Sequence, residues 1–267
     1  MTLQKILVIN RTAYRVFLIS VTFLVSGWYI KISFFKDYLF ESIVRYPILH
    51  QFFPDFFKSP LTAQAAYCAP AVFLFLIFQK RKICLVGYML IVLASSLILM
   101  WHNDMYNDAT FVSVFWSGLW LLWLSWNIDS PNEKLSVHAA ILVQGILGMI
   151  FFAGFMGKMT PGYFNGEAIY YMFFIDREYW PFSMFLQSSQ EQKQLIAQVV
   201  SWIIMGVEGF IALGPLVPFR LYAAVVPILL LGFIIMNTWM ILSVVAPLIG
   251  ILVAALYWQL KENKHYA

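Results

Sequence analysis

One lysine stands out because it interrupts a long apolar part of the chain. Lys158 follows a segment, residues 137–157, that carries no lysine, arginine, aspartate or glutamate. An ionisable side chain at bilayer depth is costly, and is therefore a functional candidate. In a dry pocket a lysine can lose its proton, because burial disfavours the charged form, and the neutral amine can act as a general base. The structural alternative is a helix-end anchor whose ammonium reaches the membrane surface.

Glu208 is the second candidate, since it is a carboxylate well inside another apolar segment. It could pair with a basic group or take part in a proton path. The alternative is a purely structural hydrogen bond between helices. The flanking Gly206 and Gly209 would allow a neighbouring helix to approach closely.

A polar turn at residues 101–108 and a late asparagine, Asn237, complete the candidate set. The turn contains His102, Asn107 and Asp108. One histidine with nearby aspartates is a weak pattern for metal ligands, so we expect no metal site here.

Composition places these residues in a membrane protein. The chain is 62% hydrophobic and 11% charged, with a mean hydropathy of +0.78. Soluble domains are about a quarter charged, so a soluble globular enzyme is excluded. The pI near 9.0 does not indicate a nucleic-acid partner, because the basic residues are scattered over short segments between the apolar ones. The expected partner is the lipid bilayer.

A spanning helix needs roughly 20 mostly apolar residues, and the sequence contains about eight such segments. The predicted spans lie near Ala13–Ile30, Leu61–Phe78, Ile83–Trp101, Ala109–Trp126, Val137–Gly157, Leu195–Leu213, Leu221–Ile235 and Thr238–Trp258. The last two are joined by almost no loop and could instead form one broken helical hairpin. The sequence therefore predicts an all-α, polytopic bundle of integral membrane helices.

Two further segments, near residues 31–60 and 159–194, mix charged and aromatic side chains. This mixture suits amphipathic helices lying along the membrane surface, although ordinary structured loops are equally compatible with it. Without internal repeats or low-complexity linkers, residues 1–267 are expected to form a single transmembrane domain. Lysine and arginine are denser in the short loops on one side, which predicts that both termini are cytoplasmic at a cell membrane.

The segment around Lys158 resembles the signature of the horizontally transferred transmembrane domain. That domain is the membrane part shared by the vitamin K-dependent γ-carboxylases and many bacterial relatives. The resemblance rests on the Ala-Gly pair and lysine within residues 151–159, followed by Tyr163, Gly166 and Glu167. Residues 126–129, the Asn-rich turn and the Met-Asn pair ending in Asn237 are similar to other parts of that family.

The resemblance, which extends over roughly residues 11–245, implies a catalytic role for Lys158. The matching lysine of the carboxylases is the base on which reduced vitamin K chemistry relies, so the implied cofactor is a reduced, vitamin K-like quinone. A histidine in the family's Asn-rich turn supports the reaction. The matching place here is nearer Asn107 or Asp108, with His102 several residues away. Tyr163, Gly166, Glu167, Glu208 and Asn237 are the expected pocket residues.

Three functions remain open from the sequence. The first is a quinol- or lipid-dependent membrane enzyme acting at the outer face. The second is a non-enzymatic membrane protein for maturation or export of a secreted peptide toxin, as for some small bacterial relatives. The third is a DoxX-type quinone-linked subunit. A transporter is less favoured, because no inverted repeat is visible.

Overall fold

The computed structural model describes residues 9–32, 59–102, 109–129, 132–175, 180–235 and 239–263. Over these residues the chain forms helices and no β-strand. The α-helices in chain order are α1 (Arg11–Ile30), α2 (Pro60–Val72), α3 (Lys82–His102), α4 (Ala109–Trp126), α5 (Asn132–Lys158), α6 (Pro161–Phe164), α7 (Glu167–Tyr170), α8 (Trp180–Ser183), α9 (Gln190–Ala212), α10 (Phe219–Ile235) and α11 (Trp239–Asn263). A 3-10 turn at Leu74–Gln79 extends α2, a π turn at Tyr171–Ile175 follows α7, and a 3-10 turn at Gly214–Leu216 precedes α10.

Within the described residues, seven helical segments are long and apolar enough to cross a membrane. The prediction of an all-α, multi-pass membrane protein is confirmed. The seventh predicted span corresponds to α10, which has only 17 residues. A helix of that length rises about 26 Å, slightly less than the roughly 30 Å hydrocarbon core of a bilayer.

Two helices begin earlier than hydropathy predicts. The helix α5 begins at Asn132 rather than at Val137, and α9 begins at Gln190 rather than at Leu195. Their first turns are polar and so carry little hydropathy signal. At α9, Ser189 forms a capping box with Gln192, which satisfies backbone N–H groups that the first turn leaves without helical partners.

Residue contacts divide the chain into two compact units, Met1–Val143 with Leu242–Ala267, and Gln144–Ile241. The single-domain organisation expected from the sequence stays a prediction.

In the first unit, α1 packs its buried face against neighbouring helices. The Asn10 side chain caps this helix by accepting hydrogen bonds from the backbone of Thr12 and Ala13. Near its other end, the indole of Trp28 donates to the carbonyl oxygen of Tyr67 at 3.0 Å, and the Tyr67 hydroxyl donates to the carbonyl oxygen of Trp28 at 3.0 Å. This reciprocal pair joins α1 to α2.

Two glycines let α1 and α11 approach closely in the same unit. A Cβ atom at Gly27 would lie 2.8 Å from the carbonyl oxygen of Ser243, and one at Gly250 would lie 2.5 Å from Cβ of Phe23. Small residues at such crossings permit close packing of membrane helices, where hydrophobic burial supplies no driving force.

The second unit is centred on the later half of α5, on α9 and on α10. The buried Gln144 side chain donates to the carbonyl oxygens of Gly214 and Val217, at 2.8 and 2.7 Å. These two carbonyls lie where α9 gives way to the 3-10 turn and α10. The amide on α5 therefore gives the Val217 carbonyl oxygen a donor near a helix end, and adds a second donor to the Gly214 carbonyl oxygen, which also accepts from the backbone N–H of Val217.

The segment between α5 and α9 consists of the short helices α6, α7 and α8 with the π turn. It carries a small apolar core in which the Phe173 and Phe182 rings stack at 4.5 Å, packed with Ile169 against Ala197 and Val200 of α9. Its placement along a membrane surface stays a prediction. The other proposed interfacial segment lies mostly outside the described residues.

Candidate functional site

The two charged residues that interrupt apolar segments form an ion pair. Nζ of Lys158, the last residue of α5, lies 2.9 Å from Oε1 of Glu208 on α9. The Lys158 side chain is 23% exposed and that of Glu208 is 11% exposed. This contact is both a pairing with a basic group and a hydrogen bond between helices, so the functional and the structural interpretation of Glu208 both stay predictions.

Gly154 on α5 lies beside this pair. It lies one helical turn before Lys158, and a methyl group there would sit 3.5 Å from both carboxylate oxygens of Glu208. The Lys158 ammonium also lies 3.5 Å from the carbonyl oxygen of Gly154. The carboxylate of Glu208 therefore lies close to α5 at Gly154, at a distance that an alanine side chain would also allow.

The chain turns sharply after Lys158 and returns an aromatic ring to it. The backbone N–H of Thr160 donates to the Lys158 carbonyl oxygen at 2.8 Å, and Pro161 begins the one-turn helix α6. Proline suits the first helical position because its fixed φ is helical and no N–H is needed there. The Tyr163 ring centroid lies 5.8 Å from Nζ of Lys158, within the range of a cation–π contact.

A row of polar side chains on α9 holds α6 and the residue after it in place. Ser201 donates to the carbonyl oxygen of Tyr163 at 2.6 Å. The Trp202 indole donates to the Phe164 carbonyl oxygen at 3.0 Å, and Gln194 donates to the Asn165 carbonyl oxygen at 2.8 Å. Gln198 donates more weakly, at 3.3 Å, to the carbonyl oxygen of Phe164. These bonds supply donors to carbonyls at the end of a one-turn helix, of which the Tyr163 carbonyl also accepts from the backbone N–H of Gly166.

Gly166 is required by backbone geometry. Its φ is +78°, in the left-handed region, and it is buried. A Cβ atom there would lie 2.4 Å from the backbone nitrogen of Gln198. Glycine is therefore the residue that lets this turn lie directly on the α9 backbone.

The second carboxylate oxygen of Glu208 accepts no hydrogen bond from the described residues. Within the described part of the chain, Oε2 of Glu208 is buried and has no hydrogen-bond partner. Burying a polar atom without a partner is costly, so such an atom in a native site calls for a chemical explanation. A lysine and a glutamate in contact can share one proton, either as an ion pair or as a neutral amine with a neutral acid. The arrangement can therefore store and move a proton.

The remaining sequence candidates do not join this cluster in the described structure. Glu167 is exposed at the start of α7, and its carboxylate has no ion pair or side-chain hydrogen bond with any described residue. The side chain of His102 and the whole of Asn107, Asp108 and Asn237 lie outside the described residues, so their proposed roles stay predictions.

The polar row on α9 was not anticipated from the sequence. Gln194, Gln198, Ser201 and Glu208 recur at three- or four-residue spacings or multiples of them, which places them along one face of a helix. A polar stripe of this spacing within an otherwise apolar helix was the available signal.

Comparison of the chain with protein-family models, with curated proteins and with solved structures finds no match. The chain is a multi-pass helical membrane protein with a lysine–glutamate pair on two of its apolar helices. The family resemblance of the Lys158 segment stays a prediction.

Proposed function

We propose that this chain is a membrane enzyme related to the membrane domain of the vitamin K-dependent γ-carboxylases. In it Lys158 removes a proton from a quinol or another lipid-soluble substrate at the outer face of the cell membrane. The observation that carries the proposal is the contact of 2.9 Å between Lys158 and Glu208, together with the open Oε2 atom among the described residues.

The pair supplies a base suited to a low-dielectric site. Transfer of the Lys158 proton to Glu208 turns two charges into a neutral amine and a neutral acid, which lowers the cost of removing them from water. The amine can then take the hydroxyl proton of a quinol. The products are a Lys158 ammonium and a quinolate anion, whose charges attract each other.

The surroundings of the pair support a hydrophobic substrate. Met159, the residue directly after Lys158, is 46% exposed. Tyr163 adds an aromatic face beside the ammonium. A planar, lipid-soluble molecule could approach from the bilayer without crossing a charged surface.

The distribution of lysine and arginine supports the orientation. Both termini and the short basic loop at residues 80–82 are cytoplasmic in this proposal, because positive residues are retained on that side. The end of α5 that carries Lys158 then faces outward.

The experiment uses the full chain in phosphatidylcholine nanodiscs with menaquinol reduced under anaerobic conditions. Formation of the bound quinolate anion is followed by its ultraviolet absorbance. We expect the anion with the wild-type protein and its loss in Lys158→Ala. Lys134→Ala is the matched control, since Lys134 is an exposed lysine near the opposite end of the same helix. That control should keep the wild-type signal.

Mass spectrometry of lipids that co-purify with the protein supplies a second readout, and a retained quinone would support the proposal. If Lys158→Ala and Lys158→Arg both form the anion as well as the wild type does, Lys158 is not the base. If the protein binds no quinol at all, the alternative function in maturation or export of a secreted peptide toxin is favoured.

A further inference from the structure

A groove lies between α3 and α4 in the first unit, whereas the lysine–glutamate pair belongs to the second unit. It has a volume of about 380 Å³ and is lined by Val86 and Leu90 of α3 and by Leu119, Leu122 and Trp123 of α4. Small-molecule sites commonly fall between about 300 and 1,000 Å³. We call this feature the α3–α4 groove.

One end of the α3–α4 groove is aromatic and charged. Trp126 and Asn127 complete the lining there. Nζ of Lys82, the first residue of α3, lies 5.8 Å from the Trp126 ring centroid and 3.0 Å from Oδ1 of Asp129. The groove is therefore apolar along its length and has a cation at its mouth.

The charge at this end is mainly positive. Lys80 and Arg81 directly precede Lys82 and are exposed. Asp129 is the acidic residue in contact with this cluster among the described residues. Three cations against one carboxylate leave an excess of positive charge, which favours an anionic ligand.

We infer that the α3–α4 groove binds one anionic phospholipid of the bilayer. Its acyl chain occupies the groove, and its phosphate lies at the basic residues 80–82. From Lys82 to Leu90 the helix rises about 12 Å. One leaflet of the hydrocarbon core is about 15 Å deep, so the groove matches most of an acyl chain's depth.

The residues at the mouth suit a phospholipid headgroup region. Tryptophan is enriched where membrane and water meet, and Trp126 is 64% exposed. A guanidinium such as that of Arg81 can donate two parallel hydrogen bonds to a phosphate. Basic residues next to a membrane-spanning helix are attracted to the anionic cytoplasmic leaflet, and each one contributes about five-fold to binding.

The test uses the full chain in phosphatidylcholine nanodiscs that contain a small fraction of photoactivatable phosphatidylglycerol. This probe carries a diazirine in the middle of one acyl chain, and mass spectrometry locates the crosslinked residues. We expect crosslinks at Leu90, Leu119 and Trp123. Unlabelled phosphatidylglycerol should compete for these positions, and an equal amount of added phosphatidylcholine should not.

Two variants distinguish the contribution of the headgroup to binding from that of the acyl chain. The double variant Lys80→Gln with Arg81→Gln should lower crosslinking at the groove about 25-fold, which is two five-fold contributions. Leu119→Trp fills the groove and should abolish crosslinking there while leaving the basic residues unchanged. Arg220→Gln, an exposed arginine in the second unit, is the control and should match the wild type.

Equal labelling of the groove by the matching phosphatidylcholine probe would overturn the inference. So would unchanged labelling in the double variant, or crosslinks that fall outside α3 and α4. These outcomes concern only the first unit, so they are distinct from failure of the proposed proton transfer at Lys158.

Discussion

The ammonium of Lys158 lies 2.9 Å from a carboxylate oxygen of Glu208, although fifty residues separate the two in the chain. Each residue alone would place a charge on an apolar helix. Together they compensate each other, and Tyr163 covers the cation from a further side. The pair between Lys82 and Asp129 has a similar distance of 3.0 Å but is more exposed, at 30% and 18%.

Substituting one partner of the Lys158–Glu208 pair should destabilise the protein more than replacing both partners by apolar residues. Loss of one partner leaves the other charge uncompensated, so Glu208→Ala and Lys158→Met should each cost about 3 kcal/mol. The double variant Lys158→Met with Glu208→Leu should lie within about 1 kcal/mol of the wild type, since replacing a buried pair by apolar groups is often neutral. Reversible unfolding in mixed detergent micelles measures these values.

The more exposed pair provides the comparison. Lys82→Met should cost no more than about 1 kcal/mol, as is usual for ion pairs that water can reach. Equal losses from the two pairs would contradict a special role for burial at Glu208.

Gly166→Ala should disrupt the turn that carries Tyr163. An alanine at a φ of +78° pays roughly 1–2 kcal/mol for the left-handed conformation alone. Its Cβ would also meet the α9 backbone at 2.4 Å, so the segment must move away. Gly162→Ala is the control, because no atom lies within 4 Å of its Cβ position. A lower melting temperature for the first variant alone is the expected result.

Gln144→Leu should loosen the junction between α9 and α10. The substitution removes two hydrogen bonds, at 2.8 and 2.7 Å. The Val217 carbonyl oxygen loses its side-chain donor, and the Gly214 carbonyl oxygen keeps only the backbone N–H of Val217. Hydrogen bonds between membrane helices average about 0.6 kcal/mol each, so a loss of about 1–2 kcal/mol is expected. Gln190→Leu, at an exposed position, should have no such effect in the same unfolding measurement.

Gly27→Ala should weaken the packing of α1 against α11. Its Cβ would lie 2.8 Å from both the Pro247 ring and the carbonyl oxygen of Ser243, neither of which can move easily. Gly87→Ala on α3 meets no atom within 4 Å and should gain up to about 1 kcal/mol from helix propensity. Opposite shifts of the melting temperature in the two variants would support the close approach.

The side of the membrane on which each terminus lies can be tested by tagging. If α10 crosses the bilayer despite its 17 residues, the described residues contain eight spans, and an even number places both termini on the same side. The distribution of lysine and arginine predicts that this side is the cytoplasm. Fusions of a fluorescent protein to each end in turn should then both fluoresce, and alkaline phosphatase fusions should both be inactive. Termini on opposite sides would mean that α10 does not cross.

The sequence by itself determined the membrane helices, because the signal is local. A chain in lipid must satisfy its backbone polar groups within each segment, so apolar length predicts a helix directly. The predicted span at Ala109–Trp126 coincides with α4. The starts of α5 and α9 were placed late, since their polar first turns have little hydropathy signal. Lys158 and Glu208 were recognisable as candidates because a charge is conspicuous among apolar residues.

Only the tertiary structure decided how these residues are used. Hydropathy and helical spacing report on one segment at a time, and carry no information on which face of α5 meets which face of α9. The pairing of Lys158 with Glu208, the row of polar side chains that holds Tyr163 in place and the contact of Gly166 with the Gln198 backbone all join residues from different helices. Lys158 was visible as a charge in the sequence, and its carboxylate partner became visible once α5 and α9 were packed together.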